Sequence, residues 1–252
     1  MSENKKIVSE PAMSAQQRRF SKGKLGTYKE FVSGSQGWLS FVLFEVYNLL
    51  FSWLPALPGF ASRTFTLPLF LAKGSGRPTI GRGVTIRQPH LIKIAKGVIV
   101  DDYAVLDVRE NDESAKEERI AIAKSCFIGR GTTVAAKGGS ISLGPAVNIG
   151  SDCRIATQTS ISIGESTLVA AYCYIGPGNH GKADEGKAMI EQDMELKGGV
   201  QIGEHCWIGT RATILDGVKI GNNATIGAHS LVREDVPDGA IAVGCPAKII
   251  SK

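Results

Sequence analysis

The sequence predicts an all-β fold, a parallel β-solenoid fronted by an apolar, helical N-terminal extension, and three observations carry that expectation. A large aliphatic residue recurs at every sixth position, from Ile202 through Ile208, Ile214, Ile220 and Ile226 to Val232. Four residues after each of the first five anchors comes a small or compact residue: Cys206, Ala212, Val218, Ala224 and Ser230. Glycine directly follows most anchors, at Gly203, Gly209, Gly221 and Gly227. A period of six is neither the helical nor the plain strand period. It can be built if each unit is a short strand whose anchor, and the small residue two places before the next anchor, point inward while the rest turns a corner. Three units close one triangular coil of eighteen residues, and stacked coils pair as parallel strands ~4.8 Å apart around an aliphatic column.

Residues 1–79 form a separate piece. Its first 37 residues are polar and basic, with Lys5, Lys6, Arg18, Arg19, Lys22, Lys24 and Lys29, and no apolar run follows closely enough to make a secretory signal. Trp38 to Leu57 is nearly continuous apolar sequence, about the length that spans a bilayer. Glu45, Asn48 and Ser52 interrupt it with a polar stripe at helical spacing, and Pro55 and Pro58 stop the helix soon afterwards. A second apolar patch, Phe65 to Ala72, is broken by Pro68. Three readings stand open: a cover for the end of the solenoid or a contact between subunits, a helix lying in a membrane interface helped by the flanking basic residues, or a true span.

Residues 80–252 carry the repeat. Upstream of the opening stretch the lattice continues through Ile163, Val169 and Ile175; Leu143, Ile149 and Ile155; Ile122, Ile128 and Val134; and Ile94, Val100 and Leu106; with a partial coil at Ile80 and Ile86. Coil starts are 28, 21, 20, 39 and 18 residues apart, so two interruptions stand out. One is the charge-rich excursion at 109–119, read as a solvated loop. The other, Gly176 to Gln201, is the single long loop on a regular scaffold, which is where function commonly sits. The tail from Val236 leaves the lattice that ends at Val232 and is rich in turn formers.

Composition narrows the function. Hydrophobic residues make up 43% of 252, ample for a core, and a net charge of +5 without a basic stripe interleaved with aromatics gives no footing for a nucleic-acid partner. Five cysteines without C-x-x-C spacing indicate neither a disulfide framework nor a zinc knuckle and suit a reducing cytosol. Cys126, Cys153, Cys173 and Cys206 fall in the small slot of the repeat, as compact core residues. Of the four histidines, only His180 lies in the long loop, where an imidazole titrating near neutrality could take a proton from an attacking alcohol or amine; a surface histidine without a role is the alternative. His90, His205 and His229 fall at exposed or corner positions. No close histidine pair exists, His205 and His229 being 24 apart, and no metal site is expected.

The [LIV]-G-x-x-[STAVC]-x units, the loop histidine and the run GGVQIGEHCWIGTRATILDGVKIGNNATIGAHSLVREDVPDGAIAVGCPAKII resemble the hexapeptide-repeat acyltransferases, more narrowly the bacterial sugar and polysaccharide O-acetyltransferases. The resemblance covers about residues 80–252. It implies a left-handed parallel β-helix, a homotrimer, no permanently bound cofactor, and acetyl-CoA or another acyl-CoA as co-substrate in the groove between subunits, with a sugar or glycan as acceptor. The cysteine pattern and the N-terminal sequence point to a cytoplasmic protein, with peripheral contact at the inner face of the membrane through the N-terminal segment as a further expectation. The family's catalytic histidine matches His180, sixteen residues after Gly164. The coenzyme positions match Trp207, Thr210, Ala228 and, for phosphate charge, Lys248. Where relatives read V-T-K-D-V-P, this chain has Val232-Arg233-Glu234-Asp235-Val236-Pro237, which moves the basic group by one, to Arg233. The asparagine that polarises the acyl group in some relatives has no counterpart, since neither Asn148 nor Asp152 aligns. A non-catalytic solenoid scaffold or binding module is the rival reading.

Overall fold

Ile163, Ile202 and Ile220 lie side by side in one parallel ladder, in the order their spacing requires. The computed structural model describes residues 23–110, 117–176, 179–180 and 194–251, the side chains of Asn179, His180 and Met194 excepted. Short strands stack into three parallel sheets that form the faces of a left-handed parallel β-helix. Face A begins at Thr79–Ile80 and continues coil by coil through Ile99–Val100 to Thr225–Ile226. Face B begins at Thr85–Arg87 and ends at Leu231–Val232; face C runs from Ile92–Ile94 to Lys219–Ile220. Each predicted anchor is buried in the column, including Ile80 and Ile86 of the partial coil.

The compact slot does more than save space. Cys126, Cys153, Cys173 and Cys206 are buried, and their thiols donate to the carbonyls of Gly144, Ala170, Gly209 and Gly221, each one coil further on, at 3.0–3.2 Å. Thr132 and Thr167 occupy equivalent slots: each hydroxyl donates to a carbonyl of the next coil and accepts the amide of Cys153 or Cys206. Small polar side chains thus tie successive corners where no strand ladder runs. Burial pushes the Cys126 and Cys206 thiols up, away from thiolate chemistry.

The corners are sharp because the residue three after an anchor takes the left-handed conformation. Tyr103, Ser125, Ala146, Asp152, Ser166, Tyr172, His205, Arg211, Asn223 and His229 all have φ between 54° and 62°. Such a conformation is costly for most side chains, and the hydrogen bonds of the stacked coils hold it repeatedly. His205 and His229, expected at corners, are therefore corner residues with no partner requirement from the core.

Three helices precede the coils: α1 (Lys24–Ser33), α2 (Trp38–Phe51) and α3 (Ala56–Thr66). Phe41, Phe44 and Tyr47 of α2 join the same hydrophobic core as Ile80, Ile92 and Leu67, so the cap covers the open end of the column. The polar stripe faces α1: Glu45 accepts from Tyr28 at 2.9 Å and from Asn48 at 3.3 Å. Arg63 staples the cap to the first coil. Its buried guanidinium donates to the carbonyls of Ile80, Phe51 and Leu54 at 2.9, 3.0 and 2.7 Å. Among the described residues no helix is long and apolar enough to cross a membrane, and α2 ends after 14 residues.

At the other end, Ile241–Gly244 adds to face A beside Thr225–Ile226, and Ala247–Ser251 folds back antiparallel on it. The tail that leaves the six-residue lattice is a hairpin closing the last coil.

Candidate functional site

The long excursion leaves the helix where faces B and C meet. Strand Tyr174–Ile175 on face B runs into Gly176, whose amide donates to the Ile214 carbonyl at 3.1 Å. Gly176 has φ 133°, and a Cβ there would lie 1.8 Å from the Ala156 carbonyl oxygen, so only glycine allows this exit against the preceding coil. Asn179–His180 then pairs antiparallel with Met194–Glu195, Asn179 opposite Glu195 and His180 opposite Met194. His180 thus stands in the stem of a hairpin, four residues beyond a core-anchored glycine. The carboxylates named with the loop, Asp184, Glu185, Glu191 and Asp193, lie outside the described residues.

The returning strand is fastened by a residue that the repeat gave no reason to single out. Asp216, buried at the same corner, accepts from the Lys197 amide at 2.6 Å and the Gly199 amide at 2.7 Å. Gly199, at φ 101°, packs where a Cβ would lie 2.1 Å from the Ser160 carbonyl oxygen.

The other site residues divide between two corners. Trp207 points outward on face A between Leu168 and Thr225 and is 55% exposed, with Leu168 exposed beside it. Thr210 and Ala228 occupy the A/B corner on successive coils; the Thr210 hydroxyl donates to the Ala171 carbonyl at 2.8 Å. Lys248 is exposed on the terminal hairpin, opposite Val243. Arg233 lies at the B/C corner, two ladder steps (~10 Å) beyond the strand that leads to His180, and pairs loosely with Glu234 at 3.7 Å. Within one chain, then, the His180 stem shares its corner with Arg233, while Trp207, Thr210, Ala228 and Lys248 belong to face A and the A/B corner.

His90 lies at a corner, as expected, and is half-buried there. It sits in the turn between faces B and C of the first coil, with Nδ1 buried and no partner among the described residues. Burial, with the Lys29 ammonium adding to it, holds its pKa down to about 4, so the ring is neutral at physiological pH. No group of metal ligands occurs among the described residues.

Two surfaces flank the hairpin. On face C a groove of about 600 Å³ runs over the small outward side chains Ala121, Ser142 and Ser162, between Lys93 and Asn222. On face B, Arg87, Arg109, Lys137 and Arg154 gather around Asp107, a cluster spread over four coils and so invisible as a sequence run.

Comparison with known proteins agrees with this architecture. The family model for the bacterial transferase hexapeptide (six repeats) matches residues 199–234. A probable acetyltransferase of Mycobacterium tuberculosis is 34% identical over 165 residues, covering 66% of this chain and 53% of the relative. The putative lipopolysaccharide biosynthesis O-acetyl transferase WbbJ of Escherichia coli is 37% identical over 112 residues, 42% of this chain and 57% of the relative. The chain thus spans little more than half the length of these curated relatives. Among solved structures, the polySia-specific acetyltransferase NeuO shares the fold with a TM-score of 0.51 at 21% identity, covering 72% of this chain and 73% of that one.

Proposed function

We propose, on the premise that this chain is a hexapeptide-repeat β-helix protein, that it is an acyl-CoA-dependent acyltransferase, in its simplest form an acetyl-CoA-dependent O-acetyltransferase of a sugar or glycan hydroxyl. The observation that carries this reading is the hairpin stem: the one long loop leaves through Gly176, returns onto Asp216, and holds the backbone of His180 between those two fixed points. Similarity to acetyltransferases along the repeat supports the reaction class.

In the proposed step, His180 takes the proton of the acceptor hydroxyl as its oxygen attacks the thioester carbonyl carbon. Backbone amides hold the oxyanion of the tetrahedral intermediate. Collapse breaks the C–S bond, and the proton passes from the imidazolium to the departing coenzyme A thiolate. Trp207 would offer a flat apolar surface to the coenzyme, Thr210 and Ala228 its corner contacts, and Arg233 and Lys248 charge for its phosphates. Because these residues and His180 divide between two corners, we assign the complete site to neighbouring copies in a homotrimer, each supplying one corner. Acyl-CoA is a co-substrate in this scheme, with no permanent cofactor.

The location we propose is the cytoplasmic side of a membrane, in peripheral contact. On α2, Leu39, Val42, Leu43, Val46, Leu49 and Leu50 are all exposed on the side away from Phe41, Phe44 and Tyr47, with exposed Trp38 and Trp53 at the ends. A 14-residue helix is ~21 Å long, short of the ~30 Å hydrocarbon core, which favours lying on the surface over spanning. Charge is segregated too: residues 1–83 hold eleven Lys/Arg against four Asp/Glu, a net +7, while residues 84–252 hold eighteen against twenty, a net −2.

The experiment is a coenzyme A titration followed by calorimetry, with transfer of labelled acetyl from acetyl-CoA to a panel of sugars and light scattering on the same sample. Binding of coenzyme A, label on a hydroxyl and a trimer mass are the expected results. Failure to bind coenzyme A would favour the scaffold reading, and a stable monomer that transfers acetyl would remove the shared site.

A further inference from the structure

The helical cap and the histidine hairpin stand at fixed heights along one axis. α2 buries Phe41, Phe44 and Tyr47 in the column that Ile80 and Ile92 begin, so its opposite side, with the exposed leucines and valines, looks along the axis and away from the coils. Where the cap meets the first coil, the exposed residues are aromatic and cationic. Trp53 is 62% exposed and lies 6.1 Å, centroid to centroid, from Tyr103, whose ring the Arg82 guanidinium covers at 5.5 Å. Phe65 is 61% exposed, with the Arg77 guanidinium 5.2 Å from its centroid. Rings and long cations of this kind settle at the headgroup level of a bilayer.

Face C measures how far the hairpin lies from this end. Four ladder steps, ~19 Å, separate Ile92–Ile94 from Val200–Ile202, the strand by which the long loop returns. The groove of about 600 Å³ covers that interval, with Gly74 and Lys93 at the cap end and Gly203 beside the returning strand. Ala121, Ser142 and Ser162 form its floor, in register on successive coils. Ser142 is exposed and the other two are partly exposed, so the floor is open to solvent. Lys93, paired with Glu118 at 3.1 Å, and Glu204 are the charged residues of the lining and stand at its two ends. Hydroxyls, backbone and small apolar groups lie between them. Such a surface suits a neutral polyhydroxylated chain better than the phosphates of a nucleotide, which call for cations.

Resting on the acyltransferase reading and on membrane contact through α2, we propose that the acceptor is a lipid-anchored glycan of several sugars. Its lipid holds it in the bilayer at the cap end, its sugars lie along the face C groove, and a hydroxyl reaches the hairpin at the far end. Height decides the length. A helix ~10 Å across and four coil steps of ~4.8 Å put the hairpin ~30 Å above the apolar surface on which α2 rests. The headgroup layer takes up only ~5–7 Å of this. A single sugar joined to the lipid ends well short of the hairpin, and a chain of several reaches it. Confining enzyme and acceptor to one surface also raises their effective concentration.

The probe is the hexose that accepts label in the sugar panel, presented alone on a lipid phosphate, at the end of a chain of several sugars on the same lipid, and on that chain freed of lipid. Both lipid forms are carried in vesicles of phosphatidylglycerol and phosphatidylethanolamine. Wild type should acetylate the long lipid-borne chain at least ~10-fold faster than either the single lipid-borne sugar or the free chain at equal concentration. Leu43→Glu/Leu50→Glu should lose the advantage of the lipid-borne chain and keep the free-chain rate. Ser142→Trp fills the groove midway and should raise KM for the long chain at least ~10-fold with coenzyme A affinity unchanged, whereas Ser142→Ala leaves it open and should not. Equal rates on lipid-borne and free chains overturn the lipid anchor, and a single lipid-borne sugar that serves as well as the long chain overturns the height. Loss of coenzyme A binding or of the trimer mass in Ser142→Trp gives the groove to the coenzyme or to a neighbouring copy and overturns its assignment to the glycan. Absence of transfer to every sugar, free or lipid-borne, fails the acyltransferase reading itself.

Discussion

The Asp216 carboxylate holds the Gly199 amide at 2.7 Å, joining the end of the long loop to the coil beneath it. Its other oxygen holds the Lys197 amide, so one buried side chain fixes two successive turns of the returning strand. The Ser160 hydroxyl and the Gly217 amide add bonds to the Gly198 and Gly199 carbonyls, at 3.2 and 2.8 Å.

Asp216→Ala removes two hydrogen bonds to a charged acceptor and leaves two amides near the core without a partner. A loss of about 2–3 kcal/mol in unfolding free energy is expected. Hydrogen exchange at the Lys197 and Gly199 amides should rise well beyond the global change. Unaltered exchange at those two amides would show that the loop is held by something else.

Arg63→Met strips three backbone carbonyls of their donor while keeping apolar volume. The expected cost is ~3 kcal/mol or more, read as a lower denaturation midpoint together with new binding of an apolar dye where the column opens. Arg63→Lys should recover little, because one ammonium cannot reproduce the fork that reaches Ile80, Phe51 and Leu54 together.

His180→Ala should lower acetyl transfer ~10²- to 10⁴-fold while coenzyme A binding and oligomer mass stay at wild-type values. His205→Ala and His229→Ala should keep most activity, since both are corner residues in the left-handed conformation. A His180 variant that turned over a verified acceptor at the wild-type rate would remove the base assignment.

His90 makes stability depend on pH in a stated direction. Its folded pKa of about 4 lies below the ordinary value of 6.5, so the unfolded chain binds the proton more readily. Its contribution is full above pH ~6.5 and declines as pH falls toward ~4, by about 2 kcal/mol once partial solvent screening is allowed for. His90→Gln should flatten the stability curve in that window; a variant with the wild-type slope there would show that other groups govern it.

Membrane contact predicts that the full chain co-sediments with vesicles containing anionic lipid and far less with zwitterionic ones. Leu43→Glu/Leu50→Glu, on the exposed side of α2, should abolish the interaction without changing the fold. Equal recovery of wild type in the supernatant with both vesicle types would end the proposal.

The chain by itself determined the coil. A period of six places Ile163, Ile202 and Ile220 in one ladder, and the register in the structure is the one the spacing requires, because a slip by one residue would turn every anchor out of the column. The compact slot was legible for the same reason, although the sequence did not disclose that its thiols and hydroxyls bridge coils. The N-terminal helices could be anticipated from apolar run, polar stripe and prolines, whereas their seating on the first coil depended on Arg63 reaching a carbonyl seventeen residues away. Only the tertiary structure decided what a corner brings together. Asp107, Lys137 and Arg154 are far apart along the chain yet occupy neighbouring coils, and the division of Trp207 from His180 between two corners follows from the triangular section. A repeating lattice determines inward-facing positions from local spacing alone; its outward surface is composed across coils, where residues one ladder step apart in space are sixteen to thirty-nine apart in sequence.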